Sequence, residues 1–337
     1  MNTMKKVLKA RELSSFLFLV ALFIIVSLIN PSFASSANIA ACFNSAVVYI
    51  LIAVGMAFAI IVGEIDVSVG STLGFVATVV GSLLRDGCNW LVAFAAGILI
   101  GALVGLINGW GVAVMGVPSL IFTLGVNGVL RGAMYVYADG AWVENLPKEF
   151  KDFSSVTLLG DLTVYFCACL VLVVVVHLLL SRTRRGRYFT AVGDNAGGAT
   201  LVGISAVRTK VLAYVICGVM AALAGILFCS RIGFVTSLSG NGYEMKAVAA
   251  CVLGGISLSG GVGSVVGAAI GAVIKSSISY LLVFMGFSSN YDNTITGIIL
   301  ITIVVADALM QRRAAVRNRH ERLAARTAGA AEGGEAK

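Results

Sequence analysis

Long apolar runs, interrupted by single glycines, prolines or charges, occupy most of the chain. They are continuous and do not alternate with polar residues, which predicts helices and excludes bilayer strands. The breaks define spans at about 13 to 30, 39 to 62, 67 to 84, 90 to 110, 118 to 138, 160 to 180, 210 to 229, 244 to 258, 262 to 284 and 291 to 310. The expected fold is all-α: a polytopic membrane protein of about ten transmembrane helices, each of roughly 20 residues. The first run follows Lys5, Lys6, Lys9 and Arg11 and precedes small residues at Ala34 to Ser36, a pattern that signal peptides share. The second span begins within a few residues and no soluble domain follows, so an uncleaved first helix is the simpler reading.

Composition narrows the class further. Of 337 residues, 59% are hydrophobic and 12% charged, against about 25% charged in a soluble domain, so a water-soluble globule is excluded. A net charge of +8 does not signal nucleic-acid binding, because the basic residues sit beside apolar runs. Four Lys/Arg lie in the N-terminal tail, six in residues 181 to 210 and seven in residues 311 to 337, which together make 17 of the 24 in the chain. Cytoplasmic loops carry such excesses, so both termini and the 181 to 210 loop are expected in the cytoplasm. Six spans before that loop and ten in all satisfy this condition. The loop from Asp139 to Asp161 carries Asp139, Glu144, Glu149, Asp152 and Asp161 against Lys148 and Lys151, and falls outside. The domain reading is thus a cytoplasmic tail at 1–12, a membrane domain at 13–310 and a basic, disordered tail at 311–337. The seven cysteines lie mostly inside apolar runs without CxxC or Cys/His spacing and read as packing thiols.

Two glycine ladders stand out. Gly97, Gly101, Gly105 and Gly109 recur every four residues in the fourth span, and Gly263, Gly267 and Gly271 in the ninth. Spacing of four places each ladder on one helix face, where missing side chains permit close helix packing in lipid. Fourth and ninth are corresponding positions if spans two to five and seven to ten form an inverted repeat.

Ionisable groups at membrane depth are expensive and hence functional candidates. Glu64 and Asp66 sit between Gly63 and Gly70 at a break in helix, where they are expected to cap and pack, to accept hydrogen bonds from a substrate, or to serve at an ATPase interface. Lys275 follows the second ladder and is expected to point into the bundle toward Glu64 or Asp66. Arg131 and Lys246 fit snorkelling equally well, and Asp307 fits the cytoplasmic interface. Asn108, Thr123 and Asn127 are uncharged candidates for the pathway, with interhelical hydrogen bonding as the competing role. Gly-Lys occurs nowhere in the chain, so a Walker A phosphate loop is absent, and His177 and His320 are isolated. Neither a metal site nor a catalytic group is expected.

Several long motifs in order point to a family. Gly63-Glu64-Ile65-Asp66-Val67-Ser68-Val69-Gly70-Ser71, Leu106-Ile107-Asn108-Gly109 and Val117-Pro118-Ser119-Leu120-Ile121-Phe122-Thr123-Leu124-Gly125 through Arg131-Gly132 resemble the permease subunits of bacterial ABC importers for simple sugars, the ribose permease among them. Arg185-Gly186-Arg187-Tyr188-Phe189-Thr190-Ala191-Val192-Gly193-Asp194-Asn195 resembles that family's ATPase-docking loop, and Tyr243-Glu244-Met245 with Ala249 to Gly255 and Ser259 to Ser264 its C-terminal signature. The likeness covers about residues 40 to 310. It departs at Glu64, where many members carry Gly, and at Lys275, where a neutral residue is expected. What the resemblance implies is a type II importer subunit of the plasma membrane that carries a pentose, hexose or deoxysugar. Relatives of the same fold take a nucleoside, a furanosyl autoinducer, riboflavin or an amino acid. Implied partners are a second permease copy or homologue, an extracytoplasmic binding protein, and a cytoplasmic ATPase that holds the ATP and Mg. The docking element would be residues 181–209, with Arg185, Gly186, Arg187, Gly193, Asn195 and Gly203 as contact and turn positions. An ion-coupled secondary transporter using Glu64, Asp66 or Lys275 is the competing reading.

Overall fold

The structure is a computed structural model and describes residues 11–288, 290–302 and 304–305. The N-terminal basic cluster before Arg11, Asp307, His320 and the 311–337 tail lie outside the described residues. The chain up to Thr296 forms one compact unit, and a second begins at Gly297, whose described residues are helical.

Helices α1 (Arg11–Ile29), α2 (Ser36–Ser45), α3 (Val47–Ile61), α4 (Val69–Arg85), α5 (Trp90–Gly109) and α6 (Ser119–Tyr137) make the first half. A π-helical turn, Trp110–Val114, extends α5. A short helix α7 (Lys148–Asp152) and a two-stranded hairpin, β1 (Thr157–Leu159) antiparallel to β2 (Leu162–Thr163), fill the acidic loop before α8 (Val164–Arg182). Two helices, α9 (Arg184–Asp194) and α10 (Ala196–Leu201), occupy the basic loop. The second half holds α11 (Ala206–Ile232), α12 (Tyr243–Leu253) and α13 (Val265–Phe284), followed by helical residues from 291 onward.

Among the described residues, five helices are long and apolar enough to cross a membrane: Trp90–Val114, Ser119–Tyr137, Val164–Arg182, Ala206–Ile232 and Val265–Phe284. The bent pair α2 and α3, inclined by 41°, makes a sixth, and Leu13–Ile29 and Val69–Arg85 are shorter apolar helices. This is a polytopic all-α membrane architecture. The eighth expected span differs from its sequence reading. The apolar run from 244 to 258 yields only the 11 residues of α12, about 16 Å of helix against the roughly 30 Å of a hydrocarbon core. Glycines punctuate both of its ends, with Gly242 and Gly255 in the left-handed region, so α12 is a half-length helix inside the bundle.

Helix burial follows composition. All of α3 except Tyr49 is buried, as expected for a helix that is apolar all round. Helix α11 is the second axis of the bundle, since α3, α4 and α5 all pack on it. The pairings have a two-fold character: α11 meets α5 and α4 as α3 meets α13 and α12, while α4 packs on α5 as α12 packs on α13. Each pair maps onto the other when the two halves are exchanged, the pairing expected of two related halves.

Glycines set the closest of these contacts. A Cβ at Gly101 would collide with the Gly218 carbonyl and lie 2.6 Å from Ala222 Cβ, and one at Gly105 would collide with the Tyr214 carbonyl. A Cβ at Gly109 would lie 2.8 Å from Val211 Cα, and one at Gly97 2.8 Å from the Val80 side chain. The first ladder therefore seats α5 on α11 and α4. In the second, Gly271 and Gly267 lie against the Ala250 and Gly254 carbonyls and Gly263 against the Ile256 side chain, so α13 rests on α12 and its following turn.

Candidate functional site

Polar residues at membrane depth gather into four groups. The first sits at the break between α3 and α4. Asp66, Ser68 and Asn108 are buried there. Ser68 donates to Asp66 Oδ1 from its backbone N–H (2.9 Å) and its hydroxyl (2.7 Å). Asn108 Nδ2 donates to Ser68 Oγ at 2.8 Å and to both Asp66 oxygens at 3.3 Å. The carboxylate thus fixes the turn ahead of α4 and draws α5 onto it, while Asn108 Oδ1 stays buried without a partner. Among the described residues no cation pairs with Asp66. Thr123 joins the group from α6: its hydroxyl accepts from the Val67 N–H (3.0 Å) and donates to the Ser119 carbonyl (2.8 Å).

Glu64, two residues earlier, belongs to a second group. Its Oε1 lies 2.5 Å from Lys210 Nζ at the start of α11. Both line a cavity of about 360 Å³ whose walls include Val112, Pro118, Ser119 and Ala196. The third group lies where the N-terminal ends of α4 and α12 meet. A Cβ at Gly70 would overlap Glu244 Oε2 and the Gly240 carbonyl, which makes this a backbone-to-backbone crossing. Arg131 Nη1 reaches it from α6 and donates to the Ser239 carbonyl at 2.6 Å. Arg131 Nη2, Glu244 Oε2 and, one turn back on α6, Asn127 Oδ1 are buried without partners. Arg131 is thus tied to loop carbonyls, an alternative to snorkelling.

The fourth group overturns the expected environment of Lys275. Lys275 Nζ pairs with Asp292 Oδ1 (2.5 Å), and Lys246 Nζ with Asp292 Oδ2 (3.0 Å). Glu64 is engaged elsewhere and Asp66 has its own donors, so neither is the partner of Lys275. Helical spacing gave the face of Lys275 correctly as inward but could not name the residue opposite. Asp292 was missed because it opens the final apolar run, where an acid reads as a boundary residue. An acid at the edge of a run whose bundle also holds an inward Lys was the available signal.

The basic loop is folded against the helix ends. In α9, Gly186, Phe189 and Val192 are buried on one face while Arg185, Arg187 and Tyr188 are exposed. Phe189 meets Phe58 of α3 edge-on at 5.1 Å. Gly193 presses on the Ile61 carbonyl and the Gly261 N–H, and that N–H donates to the same carbonyl at 2.9 Å. Asn195 Oδ1 caps α10 by accepting from the Gly198 N–H at 2.8 Å. Gly203 turns the chain back toward α11 at φ +85°, a conformation open to glycine at low cost. At the tip, Leu201 and Val202 are 90% and 75% exposed.

A bundle of apolar helices with two-fold pairings, a half-length helix that starts among buried polar groups and a folded basic loop defines a membrane transport subunit. A family model described as branched-chain amino acid transport system / permease component matches residues 38–304. The chain belongs to this family of ABC importer permeases. It is 42% identical over 319 residues to the autoinducer 2 import system permease protein LsrC of Enterobacter sp. (strain 638), covering 95% of this chain and 92% of the relative. The LsrC of Klebsiella pneumoniae is 40% identical with the same coverage. That of Escherichia coli K12 is 38% identical over 301 residues, which is 89% of this chain and 88% of the relative. No solved structure matches.

Proposed function

We propose that this chain forms the membrane path of an importer for a furanosyl autoinducer, driven by a separate cytoplasmic ATPase. The identity to autoinducer 2 import permeases along nearly the whole chain supports that cargo. The observation that carries the mechanism is the α9–α10 unit. Its buried face is anchored on α3 and the turn at Gly261, and its exposed face presents Arg185, Arg187, Tyr188, Leu201 and Val202. Two adjacent, largely exposed aliphatic side chains beside a basic face make a surface suited to a partner protein.

In this reading the ATPase supplies ATP and Mg, and an extracytoplasmic binding protein delivers the cargo. A second permease copy or homologue completes the pore, in a bacterial plasma membrane with both termini in the cytoplasm. ATP-driven closure of the ATPases moves α9 and α10, and their anchor passes that motion to the α3 and α13 ends, which shifts the bundle between outward and inward openings. The buried polar groups of α4, α5, α6 and α12 replace cargo hydration along the way.

Proteoliposomes holding the permease and its ATPase, with the binding protein outside, test this reading. ATP-dependent uptake of autoinducer 2 is the expected result. Uptake of ribose or another simple sugar in its place keeps the mechanism and changes the cargo. Uptake without ATP that follows an ion gradient overturns the mechanism.

A further inference from the structure

The fourth polar group contains more than a buried ion pair. Lys275 is fully buried, and its ammonium is satisfied by Asp292 Oδ1 and by Ser279 Oγ at 2.9 Å. Ser279 Oγ also lies 2.6 Å from Asp292 Oδ1. One neutral, hydrogen-bonded pair is thereby complete. Lys246 is an additional cation: its side chain is 15% exposed, and Asp292 Oδ2 is its only ion-pair partner among the described residues. An ammonium has three donors, so this one keeps unused capacity at a place that is not sealed.

The surroundings of that ammonium are unusual for an ion pair. Tyr49 and Tyr243 stack with ring centroids 5.3 Å apart and planes 16° from parallel. Lys246 Nζ stands 5.3 Å from the Tyr243 centroid and 5.9 Å from that of Tyr49. Tyr49 is the one residue of α3 that is not buried. A polar stretch continues along α13, where Ser276 shares a hydrogen bond of 2.9 Å with Ser45 and Ser277 is fully buried. An aromatic platform, an incompletely engaged cation and a carboxylate are the parts used to hold an oxygen-rich ring: ring faces against carbon, charged donors to hydroxyl oxygens and an acid accepting from hydroxyl groups.

We propose that Lys246, with Tyr49, Tyr243 and Asp292, forms a specificity-determining contact for a neutral polyhydroxylated ring on the translocation path. The assignment rests on the transport reading above. Lys246 donates to cargo hydroxyl oxygens while Asp292 stays balanced by Lys275, so engaging the cargo leaves no buried carboxylate unpaired.

Lys246→Gln tests this in the full complex with ATPase and binding protein, using autoinducer 2 and D-ribose as probes. Because Lys275 and Asp292 remain paired, the variant should assemble with wild-type monodispersity and thermal stability. Its KM for loaded binding protein or its apparent KM for cargo should rise by about tenfold or more, the scale of one charged hydrogen bond, with maximal rate little changed. Lys246→Arg, which keeps the cation and its donors, should recover most of the loss. A KM within about twofold of wild type in Lys246→Gln overturns the assignment, as does a fall in maximal rate that merely tracks lost thermal stability. If wild-type complex takes up neither probe, the transport reading fails and this assignment falls with it. Wild-type uptake with an unaffected Lys246→Gln refutes the assignment alone.

Discussion

Replacing Gly193 by alanine isolates the junction between the basic loop and the bundle. The added Cβ would overlap the Ile61 carbonyl and sit 2.5 Å from the Gly261 nitrogen, so α9 must retreat by on the order of 1 Å to restore ordinary contact. Where the retreat is incomplete, the Cβ wedges into the Gly261 N–H to Ile61 bond, worth about 1 kcal/mol, and overpacking adds about 1–3 kcal/mol. Alanine returns about 1 kcal/mol through its higher helix propensity. The balance is a local loss of about 1–3 kcal/mol, enough to loosen the junction about fivefold or more without unfolding the bundle. In proteoliposomes the variant should hydrolyse ATP near the wild-type rate while uptake falls at least about fivefold. Gly197→Ala is the control, since its added Cβ meets only Asn195 Oδ1 at 3.4 Å, and it should transport normally. Coupled uptake at the wild-type rate in Gly193→Ala would refute the idea that motion passes through this contact.

Two further outcomes follow from packing and charge. Gly101→Leu drives a side chain into the Gly218 carbonyl and Ala222, so it should cost at least about 3 kcal/mol and lower both expression and the melting temperature in detergent; an unchanged melting temperature would count against the α5–α11 seat. Asp292→Leu leaves Lys246 and Lys275 facing each other without an anion, a loss of about 3–5 kcal/mol that Lys275→Met should largely reverse; equal melting temperatures for the single and double variants would show that Asp292 is not their shared partner.

What the sequence made visible depended on whether the signal was local. Hydropathy placed most helices within a few residues, and spacing of four put Gly101 and Gly105 on one face before any neighbour was known. The length of α12 was not legible, because apolar residues continue past Leu253 through Ile256 and Leu258, and a run of buried turn looks like a run of helix. Partners distant in the chain were equally hidden. Glu64 meets Lys210 across 146 positions, and nothing local distinguishes Lys210 from the other basic residues of its loop. Asp66 and Asn108 were singled out as polar candidates and both are buried, yet their shared bond with Ser68 depends on how α5 seats on α11. For Lys246 the sequence left snorkelling and an inward role equally open, and the choice depends on Asp292 and two tyrosine rings that no local pattern places beside it.

The three-way contact of Gly193, Ile61 and Gly261 is made almost wholly of backbone atoms. In the proposed mechanism such a joint transmits displacement without any side-chain vocabulary, so the outward residues of α9 and α10 are at liberty to diverge while the lever beneath them stays the same. On the proposed mechanism, a permease built this way can exchange its motor over evolutionary time by rewriting only the surface it presents, and keep the gearing untouched.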